Sequence, residues 1–219
     1  MWCGADSEDR LGQANLTSME NADGSDPQRS QDAHGITDLR QVRTGRLDLR
    51  AVAMSDIDLI YGLTSDPRVW THLPSGVHAS REQTEVQLAR QAAAWDSDGL
   101  AQWTACLHDR TFAGIGGCSI NAGAAWNVYY RFVPEVQGRG LATELVHAAQ
   151  VAARQVRPDL AVTALLLEHN QASKAVAEKS GLQLIWRGHD VGNPDPDAIR
   201  LIYADRDVAP DVVHTLLAH

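Results

Sequence analysis

The chain has 219 residues, with 19 Lys+Arg against 28 Asp+Glu and a formal charge of −9 with His neutral. Its 44% hydrophobic and 21% charged residues are the make-up of a soluble folded domain, and at roughly 100–200 residues per domain the length predicts one domain plus a tail. The acidic balance argues against nucleic acid or an anionic membrane as main partner, since both select clustered Lys and Arg, and is weakly compatible with a cationic, amine-bearing substrate.

Residues 1–44 are polar and Gly/Ser/Asn/Gln/Asp-rich, with eight acidic and four basic side chains and no sustained period of 2 or 3.6. Such a segment buries too little apolar area to offset its ordering entropy, so a disordered acidic tail is predicted there. From Arg46 the pattern changes. Residues 46–50 alternate like a strand, and Ser55-Asp56 caps a helix through about Leu63. Ser80-Arg81-Glu82-Gln83 reads as a capping box that opens a second helix, with Val86, Leu88, Ala92 and Trp95 on its apolar face.

Three strands follow over residues 101–107, 112–120 and 126–132, the first two joined by a hairpin-like turn at His108-Asp109-Arg110. A helix is predicted from about Gly140, because Leu141, Leu145, Ala149, Ala152 and Val156 recur at 3–4 residue spacing. Residues 162–167 read as a buried strand, 172–179 as a short helix, 182–186 and 199–204 as strands, and 210–218 as a short terminal helix. The order implies an α/β domain over residues 45–206, with a mixed, mostly antiparallel sheet and helices on both faces, followed by a helical addition over 207–219.

Cys3, Cys106 and Cys118 make no CxxC, and the nine His form no cluster at ligand spacing. Neither a disulfide framework nor a metal site is therefore expected. The sequence shows no long apolar run and no basic leader, so a cytoplasmic chain is the expectation.

The chemistry concentrates in Phe132-Val133-Pro134-Glu135-Val136-Gln137-Gly138-Arg139-Gly140-Leu141-Ala142-Thr143-Glu144, a strand running through a glycine loop into a helix. Unpaired N–H groups at such a helix entrance, reinforced by the helix dipole, suit a phosphate or pyrophosphate. A P-loop is excluded because Leu141 follows Gly140, where Lys-Ser/Thr would be required. A dinucleotide fingerprint lacks its third glycine, with Thr143 in that place. Glu168 could imitate its ribose-binding acid, so a nucleotide-binding oxidoreductase stays as a lesser alternative.

The loop is followed by Glu168-x-Asn170-x-Ala172-Ser173 and by Lys179-Ser180-Gly181-Leu182. Together, over about residues 46–205, these motifs resemble the GNAT acetyltransferases, particularly the RimJ/RimL-like branch. The resemblance implies a GNAT fold with a splayed central strand pair. It also implies acetyl-CoA as donor and transfer of its acetyl group to a primary amine, on a protein N-terminus or a small molecule. It assigns donor binding to Phe132, Val133, Gln137, Gly138, Arg139, Gly140, Leu141, Ala142, Thr143, Asn170 and Ser173. A backbone N–H near Phe132 or Val133 would polarise the thioester carbonyl, and the Ser173 hydroxyl would serve as general acid.

The strand position that often carries the family's basic Glu falls on Asn127, which cannot take a proton. Three accounts are open: an α-amine acceptor that needs no strong base, another base such as Asp190, Asp195 or Glu135, or a non-catalytic acyl-CoA-binding regulatory module. Trp70, His72, Leu73, Trp126 and Tyr130 are the candidate acceptor-pocket residues, with the 191–197 loop opposite. The chain is expected to work as a monomer or homodimer.

Overall fold

The computed structural model describes residues 38–191 and 193–218. In chain order they form β1 (Gln41–Arg43), β2 (Leu47–Ala51), α1 (Ile57–Thr64), α2 (Arg81–Ser97), β3 (Gln102–Leu107), β4 (Phe112–Asn121) and β5 (Ala125–Phe132). There follow α3 (Leu141–Val156), β6 (Val162–Leu167), α4 (Gln171–Lys179), β7 (Gln183–His189), β8 (Ile199–Ala204) and α5 (Pro210–Leu217). One eight-stranded sheet has the order β1-β2-β3-β4-β5-β6-β8-β7, antiparallel everywhere except between β5 and β6. That parallel step is bridged by α3, because parallel neighbours need a crossover.

The helices cover both faces. Gly116 and Cys118 of β4 face α3: a Cβ at Gly116 would come within 2.9 Å of Leu145, and the Cys118 thiol lies 3.8 Å from the Ala149 carbonyl. The opposite face is held by α1, α2 and their connections. There buried Asp56 accepts from Arg50 (2.5 Å), from the Ala53 N–H (2.9 Å) and from Thr104 (2.8 Å). The α3 stripe behaves as its spacing predicts, with Leu141, Leu145, Ala149 and Ala152 all buried. Each large aliphatic side chain in it contributes roughly 1.5–3 kcal/mol by leaving water. The terminal helix α5 packs on its own sheet through Leu216, beside Ile202 and Ala125. None of the helices among the described residues is long and apolar enough to cross a membrane.

Several expectations need correction. The stretch assigned to the tail contains β1, whose Val42 is buried and pairs with Leu49; a three-residue strand is too short to show a period. The rest of that assignment, residues 1–37, lies outside the described residues. Val86 points outward at 61% exposure, and the buried face of α2 runs instead through Thr84, Leu88 and Trp95. The Ser80 cap accepts from the Gln83 N–H (3.4 Å), but Gln83 returns its bond to Ala79 (3.1 Å) and not to Ser80. Cys118 is free and buried.

Candidate active site

β5 and β6 are paired only at Trp126↔Val162 and Asn127↔Thr163. The Thr163 hydroxyl donates to the Trp126 carbonyl (2.8 Å), and the Asn127 side-chain oxygen accepts from the Leu165 N–H (3.3 Å). Beyond this staple β5 follows β4 while β6 follows β8, so the two strands part. Asn127 thus holds the apex of the splay, and it lies outside the walls of both clefts described below.

At the open end, the Val133 N–H bonds to the Ala113 carbonyl (2.9 Å). Antiparallel ladders alternate the direction of their N–H groups, so the Phe132 N–H, one residue earlier, points into the gap. Of the two carbonyl-polarising candidates, Val133 is therefore already engaged toward β4 and lies outside the cleft wall, and Phe132 is left. The Phe132 carbonyl is fixed by the Gln137 side-chain amide (2.9 Å).

After a short 3-10 turn at Pro134–Val136, Gly138 (φ 73°) and Gly140 (φ 78°) adopt the left-handed conformation that side chains resist. The N–H groups from Gly138 to Thr143 have no hydrogen-bond partner among the described residues, and Glu144 is the first to bond back, to Gly140. The loop is braced from behind. Glu144 accepts from Thr44 Oγ1 (2.6 Å), the Arg46 N–H (2.7 Å) and Arg46 Nε (2.6 Å), while Arg46 Nη1 donates to the Arg139 carbonyl (2.6 Å). Arg139 itself does not line the cleft.

A cleft of about 370 Å³ runs from this loop along the β5 edge to α4. Gln137, Gly138, Gly140, Leu141, Ala142 and Thr143 wall one end, and Phe132, Asn170, Ser173, Val176 and Lys179 the rest. Asn170 caps α4 by accepting from the Ser173 N–H (3.1 Å), and the Ser173 side chain lies beside the Tyr130 hydroxyl. Free N–H groups at a helix entrance, with Lys179 nearby and no acidic side chain on the wall, suit a ligand with phosphates at one end. The unpaired β5 edge suits an extended arm.

A second cleft of about 250 Å³ lies beyond, between Leu73, β5, β6 and the turn carrying Asp190 and Asn193. His72, Tyr130, Arg131, Asn170 and Ser173 line both clefts, so the two meet at these five residues. Tyr130 donates to the Ser173 carbonyl (3.3 Å), and burial pushes its phenol above the usual range. His72 is half-buried; desolvation first, then the charges of Arg131 and His169, hold its pKa below 6.5 and keep it neutral at neutral pH. Burial pushes the Asp190 carboxyl up, but Arg200 and Asn193 outweigh this and keep it below the ordinary value, which makes it a poor base. Glu135 is 63% exposed and paired to Arg68 (3.1 Å), and Asp195 accepts from the Asp197 N–H (3.0 Å) within a turn.

Two pocket candidates are core residues. Trp126 is fully buried, its indole N–H directed at the Arg157 carbonyl (3.4 Å). Trp70 is 8% exposed and donates to the Thr64 carbonyl (2.7 Å). Large indoles are cheapest to bury where their one N–H finds a carbonyl, and both do. Leu73, His72 and Tyr130 do line the second cleft. Arg131 and Arg200 line it without having been singled out in the sequence, whereas Asn193 belongs to the 191–197 loop expected opposite. Arg131 gives no local signal, because the indole it packs on lies 61 positions earlier. Glu168 is half-buried and paired to Arg187 (2.7 Å), and the sheet is not the parallel one a dinucleotide fold needs, so the oxidoreductase alternative falls.

The family model described as an acetyltransferase (GNAT) domain matches residues 46–183. Among solved structures, the chain is similar to a GNAT-family acetyltransferase from Bacillus anthracis, at 19% identity and TM-score 0.63, over 75% of this chain and 96% of that one. It is similar to RimL, a ribosomal L7/L12 α-N-protein acetyltransferase solved with coenzyme A, at 20% identity and TM-score 0.62, over 76% and 99%. It is also similar to the Salmonella typhimurium acetyl transferase that modifies the N-terminal serine of L7/L12, at 19% and 0.62, over 76% and 96%. At such identities these likenesses show the fold. No curated protein matches the chain in sequence.

Proposed function

The chain belongs to the GNAT acetyltransferase family, and from that premise we propose that it transfers the acetyl group of acetyl-CoA to a primary amine by direct attack of the amine on the thioester. The observation that carries this reading is the meeting of two clefts at His72, Tyr130, Asn170 and Ser173, one cleft ending in unpaired N–H groups and the other open to a second molecule. The residues from Gly138 to Thr143 fit the pyrophosphate, and the β5 edge fits the pantetheine arm, whose thioester supplies the activated acyl group. The Phe132 N–H polarises the carbonyl oxygen. Such a donor is worth about 3–4 kcal/mol where charge develops on oxygen. The Ser173 hydroxyl, at the junction of the two clefts, protonates the departing sulfur. With an amide at Asn127, the proton of the attacking amine goes to neutral His72.

The test is thiol release at saturating acetyl-CoA over peptide α-amines, polyamines, amino acids and aminoglycosides. Turnover of at least one acceptor class is expected, with kcat reduced and donor affinity kept in Ser173→Ala. A second reading, acyl-CoA binding without turnover, draws support from the structural use of Asn127. Donor binding with zero release across the panel would select it.

A further inference from the structure

The acceptor cleft contains one group that the family reading does not use. Arg131, on the face of β5 opposite Tyr130, is 8% exposed and lines both clefts. Its Nη1 donates to the Val69 carbonyl (2.5 Å), its Nε to the Tyr129 hydroxyl (3.0 Å), and its carbon centre lies 3.3 Å from the centroid of the Trp70 ring. Trp70 is itself locked by Thr64 and backed by Gly76, where a Cβ would fall 2.1 Å from the indole. The guanidinium is thus held in one orientation.

What it lacks is an anion. The other arginines with little exposure are each matched to a carboxylate: Arg50 to Asp56 and Arg200 to Asp190. Arg131 has no carboxylate partner among the described residues, and its Nη2 makes no hydrogen bond there. A guanidinium does not shed its proton to escape burial, and taking an unpaired charge out of water is unfavourable. The stacked ring, one carbonyl and the Tyr129 hydroxyl offset part of this, and an arriving carboxylate would supply the rest through a two-pronged, charge-assisted bond. Across the cleft Asp190 cancels Arg200, and His72 is neutral at neutral pH. Arg131 is therefore the uncompensated charge where the clefts meet, away from the N–H groups of the glycine loop.

We propose that Arg131 binds a carboxylate of the acceptor, and that the acceptor is a small amine bearing a carboxylate, of the size of an amino acid. The second cleft, at about 250 Å³, has room for such a molecule. Because Arg131 borders the junction, the carboxylate sits on the same end of the molecule as the attacking amine. This assignment rests on the acetyl-transfer reading.

The experiment compares amino acids with their own carboxamides, which keep the amine and lose the charge. At saturating acetyl-CoA, at least one amino acid is expected to exceed its carboxamide in kcat/KM by about 100-fold or more, the scale on which a site built for a polar group rejects the analogue lacking it. Arg131→Gln should collapse that ratio towards one, mainly through KM, with the dissociation constant of acetyl-CoA unchanged; Arg131→Lys should keep part of it. Equal turnover of acid and amide by the wild-type chain overturns the proposal without recourse to any variant. So does a loss of acetyl-CoA affinity in a folded Arg131→Gln, which would give Arg131 to the donor. Turnover of peptides or polyamines but of no amino acid leaves the acetyltransferase reading standing and removes this one. Absence of any turnover removes both.

Discussion

His72 shows how a residue acquires chemistry from neighbours far along the chain. In the sequence it is a histidine beside a tryptophan; in the fold its ring stacks on Trp70 at 6.4 Å and faces the charge of Arg131, with its main-chain carbonyl 2.8 Å from Nε2 of His169. Burial first, and then the electrostatic influence of Arg131 and His169, disfavour a positive charge on it, so its pKa moves down from 6.5. A base works deprotonated, and both His72 and the acceptor amine must lose a proton for attack. Log kcat/KM should then rise with slope two below the His72 pKa and slope one between it and the amine's. In His72→Gln the slope-two region should vanish and kcat should fall by about 10²–10⁴, the usual span for a positioned base. A wild-type profile of slope one throughout would leave His72 as a wall of the pocket.

At the scale of elements, the first turn of α3 is held by the β1–β2 turn through Glu144. Burial pushes its carboxyl up, but the bonds from Thr44 and Arg46 outweigh this and hold it below 4.5. A carboxyl depressed on folding stabilises the fold above its unfolded value and loses that contribution as pH falls through the folded one. Glu144→Gln should therefore cost about 1–3 kcal/mol in urea unfolding at neutral pH and little at pH 3. Because Arg46 also grips the Arg139 carbonyl between the two left-handed glycines, the same variant should loosen the loop and weaken acetyl-CoA binding several-fold, measurable by calorimetry. Unchanged affinity would mean that the loop keeps its shape without the brace. The helices and inner strands of this region were readable in the sequence because their apolar spacing is local. The β1 brace was not, since three residues carry no period and their role comes from pairing with β2.

For the whole molecule, the charge of −9 is a poor guide to the site. Residues 1–44 hold −4 of it, four basic minus eight acidic, leaving −5 on the remaining 175. The donor cleft nevertheless carries no Asp or Glu on its wall and presents Lys179 beside the unpaired N–H groups of the glycine loop, while Arg68 on that wall is already paired to Asp66 and Glu135. A cationic acceptor, weakly suggested by the overall charge, is therefore not what this local field favours. A basic cleft on an acidic body draws anions by a field that salt screens, the Debye length falling to about 10 Å at 0.1 M. The association rate of acetyl-CoA should accordingly drop about threefold or more between low and physiological ionic strength in stopped-flow measurements. A salt-independent rate would assign donor capture to the neutral N–H groups alone.

Taken by itself, the sequence determined the element order from β2 onward, the α3 stripe, the glycine loop and the Asn170–Ser173 pair, because each is written in neighbours a few positions apart. Only the tertiary structure decided which of these groups are free to act. It engaged Val133 with Ala113 and left Phe132 facing the gap, used Asn127 to staple β5 to β6, and sank Trp70 and Trp126 into the core. It also set an unpaired Arg131 where the two clefts meet. The reason is physical: a hydrogen-bonding or charged group is available for chemistry only if no other part of the chain has already satisfied it, and such partners come from residues distant in sequence.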